Sequence, residues 1–415
     1  VNDTTGECRD PAQETRQLIE RILEAYPRRA PASQEELETQ LLLKSAFEAM
    51  GIETRLEPFR FNAHLYANLA LHFGTGLVGT LLAGRRPGLS AALSSLAAGS
   101  YLADSTRKAY VLRRLLPWKT SHNLLATLKA RGTPELRIVV IGHADAAYTG
   151  FLFNPEVIKR FTPHDMPESM AWLGRSLAIA TWSQFASAGF ALLRATLPRG
   201  SALWPVSLAL GLPAAIAFAA NLEVVLRDEI VPGANDNLSG AAATVELARR
   251  LGPRKPDSVE LVFVVTGCEE AGTGGAAALA RAHRKDWETT KTVVVALDSL
   301  SNGDLKFFEE GEILPVPTPR WLADLATRTA AQTPELGGVA PFQIPSGATD
   351  VLPFRAQGYD GISLGCVDPE FGCPRHYHHP SDTLENLDIG QLMRSIDFSE
   401  RLIEAIWRTR LQQDR

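Results

Sequence analysis

VELVFVVTGCEEAG (259–272) decides the fold of this chain. Its first eight residues are almost continuously apolar, without the polar alternation of a strand that shows one side to water, so they read as a strand buried on both faces. Three other runs have the same form: LRIVVIGH (136–143), TVVVALD (292–298) and GISLG (361–365). Helical patterns lie between and around them at 11–26, 33–50, LSGAAATVELARRLG (238–252), 271–284, about 317–333 and 388–410. ETRLEPFRF (53–61) and HNLLATLKA (122–130) are further strands, the second followed by a Gly-Thr-Pro turn before 136. Buried strands alternating with helices predict an α/β fold with a mixed, mainly parallel central sheet flanked by helices.

Two blocks interrupt this rhythm. Residues 61–103 hold two uncharged stretches separated by Arg85 and Arg86, and residues 176–222 hold two more around a linker carrying Arg194 and Arg199. Each reads as an inserted apolar helical hairpin with a basic tip. The organisation expected is therefore one α/β domain made of 1–60, 104–150 and 228–415, with hairpins inserted at 61–103 and 151–227. The stretches approach the roughly 20 residues that cross a bilayer. Basic tips would put both turns on the cytoplasmic side and leave the α/β body outside, an extracytoplasmic or membrane-associated placement. The alternative is a soluble four-helix cap or a homo-oligomer interface, with the hairpins buried against each other.

The chain has 415 residues, 45% hydrophobic and 21% charged, with a formal net charge of −5. That is core enough for a large globular protein, and it lacks the basic footprint of a nucleic-acid partner. Nothing resembles a leader peptide, although a chain opening on Val1 rather than Met is what a removed leader would leave. Cys366 and Cys373 flank a loop (CVDPEFGC) that would suit a small disulfide in an exported protein and two free thiols otherwise. Cys268, at the end of an apolar strand, reads as a buried structural thiol.

Chemistry gathers where the strands end, the edge at which open α/β sheets assemble their sites. IVVIGHADA (138–146) ends on His143, with Asp145 two residues on to accept a hydrogen bond from the imidazole. VPGANDNLSGAAA (231–243) puts Asp236 in a Gly/Asn loop before a helix, able to bridge two ions or simply to cap the helix. In TGCEEAG, Glu270 could ligate an ion while Glu269, left free, moves protons. VVVALDSLSNGD (293–304) ends a strand on Asp298, and PRHYHHPSDTLENLD (374–388) crowds His376, His378 and His379 into one loop. Nitrogen and oxygen donors without clustered cysteines suit zinc, with cobalt or manganese in substitution.

In this order HxD, GANDNLSG, TGCEEAG, ALDS and YHHPSDT resemble the co-catalytic zinc aminopeptidases. That family includes bacterial leucyl aminopeptidases and is related to glutaminyl cyclases and the transferrin-receptor ectodomain. The resemblance covers about 120–150 and 228–410 and implies a zinc-exopeptidase-like fold acting on peptides with a free N-terminus. It implies two Zn2+, one held by His143 and Asp298 and the other by Glu270 and His378, with Asp236 between them. It further implies a hydroxide bridging the ions, Glu269 as general base and Asp145 orienting His143. His378 rather than His379 is the ligand because the family's histidine precedes the Asp of the DT pair, here Asp382, by four. SGATDVLPF (346–354) resembles the family's Ser-Asp loop near the substrate pocket and puts Thr349 and Asp350 in those places. Here the second hairpin block separates HxD from the bridging-Asp loop, which lie close together in the family. Two other readings stay open: a one-zinc acyltransferase of the cyclase type, against which His143 argues, and a membrane or scaffolding protein with a vestigial metal site.

Overall fold

The structure, a computed structural model, describes residues 10–161, 175–196, 204–332, 338–345 and 347–413. Among them eight strands form one sheet in the order β1-β2-β4-β3-β5-β8-β6-β7. They are β1 (Glu53–Phe61), β2 (Lys119–Leu128), β3 (Leu136–His143), β4 (Val259–Thr266), β5 (Thr292–Leu297), β6 (Asp304–Glu309), β7 (Ala340–Gln343) and β8 (Asp360–Val367). The middle of the sheet, β4-β3-β5-β8, is parallel throughout, while β1-β2, β2-β4 and β6-β8 are antiparallel and β6-β7 is parallel.

The apolar runs are continuous because both faces of these strands are covered. On one face Ile138, Val140, Phe263, Val265, Val293 and Val295 pack with α1 (Pro11–Ala25), α2 (Gln34–Ala49), α8 (Gly240–Leu251), α10 (Arg320–Ala331) and α12 (Ile389–Gln413). The alternate residues Val139, Ile141, Val262, Val264 and Val294 face α9 (Gly274–Ala282) and α11 (Leu352–Arg355). Each such side chain fully withdrawn from water contributes about 1.5–3 kcal/mol. The registers 138↔261 and 138↔293 bring the ends of β3, β4 and β5 to one level, and His143 is the partner of Thr266. Contact with α8 is close: a Cβ on Gly240 would lie 2.3 Å from the Leu297 carbonyl oxygen, so only glycine lets the helix start against the end of β5.

Some boundaries differ from the sequence reading. Helix α9 starts at Gly274 rather than near 271, because the backbone turns through left-handed Cys268, Gly272 and Thr273 first. β6 and β7 are short strands at one side of the sheet that the hydrophobic pattern does not announce. The segment 129–135 does not close a hairpin, since β4 lies between β2 and β3.

The inserted blocks are helical. The first is α3 (Leu65–Leu82) and α4 (Pro87–Ser105); the second contains α5 (Pro155–Phe161), α6 (Ser176–Ala195) and α7 (Trp204–Arg227). α3 packs on α4 and α7, and α6 packs on α4 and α7, so the two hairpins close into one four-helix bundle. Arg199 and residue 333 lie outside the described residues.

Candidate metal centre

His143 ends β3 with its Nε2 3.4 Å from Asp236 Oδ1 and 3.8 Å from Glu269 Oε2. Its Nδ1–H donates to the backbone carbonyl of Asp145 at 3.1 Å, whereas the Asp145 carboxylate is 3.5 Å away. That carboxylate also accepts from the turn that follows β4: Glu269 N–H donates to Oδ1 (3.2 Å) and Glu270 N–H to Oδ2 (2.9 Å). Asp145 therefore holds the imidazole mainly by its main chain and the glutamate pair by its side chain. A two-residue spacing predicts only the first contact.

Asp236 stands in a loop tied down on every side. Asn235 Oδ1 accepts from Ser301 N–H (2.9 Å), and Asn237 Oδ1 accepts from Gly240 N–H (2.9 Å) and Ser299 N–H (3.2 Å). Asn235 and Asp236 donate their backbone N–H groups to the two oxygens of Asp382 at 2.8 and 3.0 Å. Buried Arg29 donates to the carbonyls of Ala144 (3.0 Å) and Gly233 (3.1 Å), joining the end of β3 to this loop. Neither Arg29 nor this role of Asp382 has a local signature in the sequence.

On the other side His378 Nε2 is 3.3 Å from Asp236 Oδ2 and 3.3 Å from Glu270 Oε2. Its ring stacks on Tyr377, centroids 3.8 Å apart, and its Nδ1 lies 3.2 Å from the hydroxyl of Tyr66, in the first turn of α3. The neighbouring His376 and His379 both turn their Nδ1 atoms to Ser381 Oγ, at 2.6 and 2.7 Å.

The residues gather more negative charge than such a site holds unaided. Burial, together with the surrounding carboxylates, pushes Glu269 and Glu270 well above the usual carboxylate range, and the same causes raise Asp298 to about 7. Burial opposes ionisation of Asp236 too, yet the imidazoles of His143 and His378 beside it hold it well below its ordinary value. Burial would lower His143, but Asp145 and Asp236 outweigh it and hold it well above its ordinary value.

Cations fit this arrangement. Donor atoms of His143, Asp236 and Asp298 lie within 4.8 Å of one another, as do those of Asp236, Glu270 and His378, and Asp236 belongs to both groups. A third group, His143 with Glu269 and Glu270, overlaps them. Among the described residues, buried His143 Nε2 and Glu270 Oε1 have no hydrogen-bond partner, and a metal would satisfy both.

Thr349 and Asp350 are buried and already engaged: Thr349 Oγ donates to Glu310, and Asp350 accepts from Thr266 Oγ. Among the described residues Asp350 Oδ1 has no hydrogen-bond partner, and the charge of Asp350 bears on Glu269. A cavity of about 310 Å³ beside the histidine loop is lined by Phe153 and Ile158, from the start of the second insertion, with Phe371, Arg375 and Tyr377. Cys366 and Cys373 are both thiols, the former against Ser395 Oγ and the latter on the Pro374 carbonyl. Cys268 is fully buried, which raises its thiol well above the ordinary value.

Comparison with known proteins agrees with this geometry. Aminopeptidase YwaD of Bacillus subtilis is 29% identical over 171 residues, 40% of this chain and 36% of that protein, so the match spans about a third of the relative's length. A zinc aminopeptidase structure from Bacillus subtilis superposes with a TM-score of 0.56 at 15% identity, covering 95% of this chain and 96% of the other. A glutaminyl cyclase from an Acidobacteriales bacterium superposes with a TM-score of 0.53 at 15% identity, covering 98% and 99%. The fold is thus the zinc-exopeptidase-like one. The family model of peptidase family M28 matches residues 219–402, which carry all of the donor cluster except His143.

Proposed function

We propose that this chain is a metal-dependent aminopeptidase that removes N-terminal residues from peptides and holds two cations, zinc by donor type. The observation that carries the reading is the shared carboxylate: Asp236 turns Oδ1 toward His143 and Oδ2 toward His378, each within 3.4 Å. Asp298 would complete the donor set of His143, and Glu270 that of His378. Zinc, when bound, supplies Lewis acidity that polarises a carbonyl and lowers the pKa of water.

Glu269 would move the protons. Its backbone is anchored on Asp145, and burial holds its carboxyl well above the ordinary range, the direction that a proton-carrying group needs. It would accept a proton from water and deliver it to the departing amine nitrogen. Asp145 fixes both the glutamate pair and His143, and Thr349 and Asp350 would border the substrate beside Glu269. The cavity next to Tyr377 would receive part of the peptide.

Cyclisation of N-terminal glutamine is the second reading, because the fold is shared about as closely with glutaminyl cyclases as with aminopeptidases. The test is zinc content together with turnover of aminoacyl nitroanilides and of a glutaminyl peptide. Two zinc ions per chain and release of nitroaniline are expected. Glu269→Ala should keep both ions and lose roughly 10²–10⁴-fold in turnover. One zinc per chain with cyclisation of the glutaminyl peptide, or undiminished hydrolysis by Glu269→Ala, would overturn the reading.

A further inference from the structure

The four-helix bundle is more apolar outside than water favours. Its interior mixes apolar side chains such as Leu69 and Phe73 with polar ones: Asn68, His72, Ser94, Thr181, Gln184 and Ser187 are all buried. Its outer surface carries large apolar ones, including Leu81 (64% exposed), Leu212 (58%) and Ile216 (61%). Among the described residues three helices are long and apolar enough to cross a membrane, and the most apolar, Pro205–Arg227, is the least covered by protein, with 22% of its most apolar 18 residues buried against 50% for Leu65–Leu82. In a water-soluble cap that ranking would be reversed, because the most apolar helix gains most from burial.

The packing inside the bundle has the same character. Cβ atoms on Gly76 and Gly211 would lie 2.2 Å from Gln184 Oε1 and 2.3 Å from Thr80 Cγ2, so the backbones approach over small and polar residues. Helices associate in this way in lipid, where apolar side chains gain nothing by turning inward. The exposed apolar residues also surround the bundle, with Leu81 on α3, Leu89 and Leu96 on α4, Leu192 on α6, and Leu212 and Ile216 on α7. A two-fold contact with a second copy covers one side, whereas these residues lie on all four helices.

Charges stand at the two ends. α3 has none, and those of α4 and α7 (Asp104, Glu223 and Arg227) lie in the turns next to the α/β body. Arg85 and Arg86 are exposed at the far tip of the first hairpin, and Arg194 ends the first helix of the second. At about 1.5 Å per residue, helices of 18, 19, 20 and 24 residues are roughly 27–36 Å long, close to the ~30 Å hydrocarbon layer.

From this exposed apolar belt over a partly polar interior we infer that the four helices are a membrane-spanning bundle whose outer surface faces the acyl chains of a lipid bilayer. Its basic tips lie on the cytoplasmic side, and the α/β body rests against the opposite surface. Tyr66, one residue into α3, is 3.2 Å from His378, so the metal centre stands at the lipid–water boundary.

The test is fractionation of bacteria producing the full chain, with an alkaline carbonate wash of the membranes. It is followed by labelling of Arg86→Cys (tip) and Arg131→Cys (body) with a membrane-impermeant maleimide, the parent chain giving the background. The chain should stay with the membranes through carbonate and leave them only in detergent. The reagent should reach the two cysteines from opposite sides. Recovery in the soluble fraction without detergent, as monomer or as dimer, overturns the inference, and so does labelling of both cysteines from the same side.

Discussion

Tyr66 belongs to the inserted bundle yet touches a residue of the candidate metal centre. His378 Nδ1 lies 3.2 Å from the Tyr66 oxygen, and with zinc on Nε2 the ring would carry its proton on Nδ1 and donate it to that oxygen. Tyr66→Phe keeps the ring packed against Tyr148 and Phe153 and removes only this acceptor. Zinc affinity, read by competition with a chelator, should fall roughly 10–100-fold; unchanged affinity would detach the hydroxyl from the metal centre. Asp382 acts at the same scale through the backbone. Asp382→Ala strands the buried N–H groups of Asn235 and Asp236, at a cost of about 1–3 kcal/mol each. The urea midpoint should drop and zinc content with it. Asp382→Asn, which keeps one acceptor, should fall between the variant and the parent.

Between elements, the root of the first hairpin grips the loop that presents Glu269 and Glu270. Arg113 donates to Asp104 Oδ2, in the last turn of α4, at 2.9 Å and to the Ala271 carbonyl at 2.8 Å, while Arg107 donates to Thr273 Oγ1 at 2.8 Å. Arg113 and Asp104 are both buried, so Arg113→Met leaves an uncompensated carboxylate and should cost about 3–5 kcal/mol. The double change Arg113→Met with Asp104→Leu should recover most of that loss in thermal denaturation. If the single variant melts like the parent, the hairpin does not brace the loop.

This scale also shows what the sequence could reveal. β3, β4 and β5 were legible because burial on both faces leaves an unbroken apolar run, and a functional residue at the end of such a run is conspicuous. β6 mixes Asp304, Lys306 and Glu309 with its phenylalanines, and β7 is four residues long with Pro341 in it, so neither shows a period. Tyr66 was illegible because its partner lies 312 positions away and its surroundings read simply as an apolar helix. The sequence makes Asp145 a partner of His143, which it is, but does not announce that its carboxylate also receives two N–H groups from the turn after β4.

For the whole molecule, the donor cluster links stability, metal and pH. Without metal the folded protein binds Asp298's proton up to about pH 7, whereas the unfolded chain releases it near 3.8, and Glu269 and Glu270 are displaced in the same direction. A carboxyl group whose folded pKa is raised favours folding at low pH, and that contribution is lost as pH climbs through the window between the two values. His143, also raised, adds a term that disappears at still higher pH, while the depressed Asp236 withdraws its support only below its unfolded value near 3.8. The metal-free protein in detergent should therefore melt at a higher temperature at pH 5 than at pH 8. Zinc must displace those protons at pH 5 and meets ionised carboxylates at pH 8, so its affinity and its stabilisation should both rise with pH across the same window. Melting curves with chelator and with zinc at the two pH values check both signs at once. A metal-free melting temperature that rises from pH 5 to pH 8 would mean that the buried carboxylates are already neutralised by groups of the protein itself, and the case for cations at this site would lose its electrostatic basis.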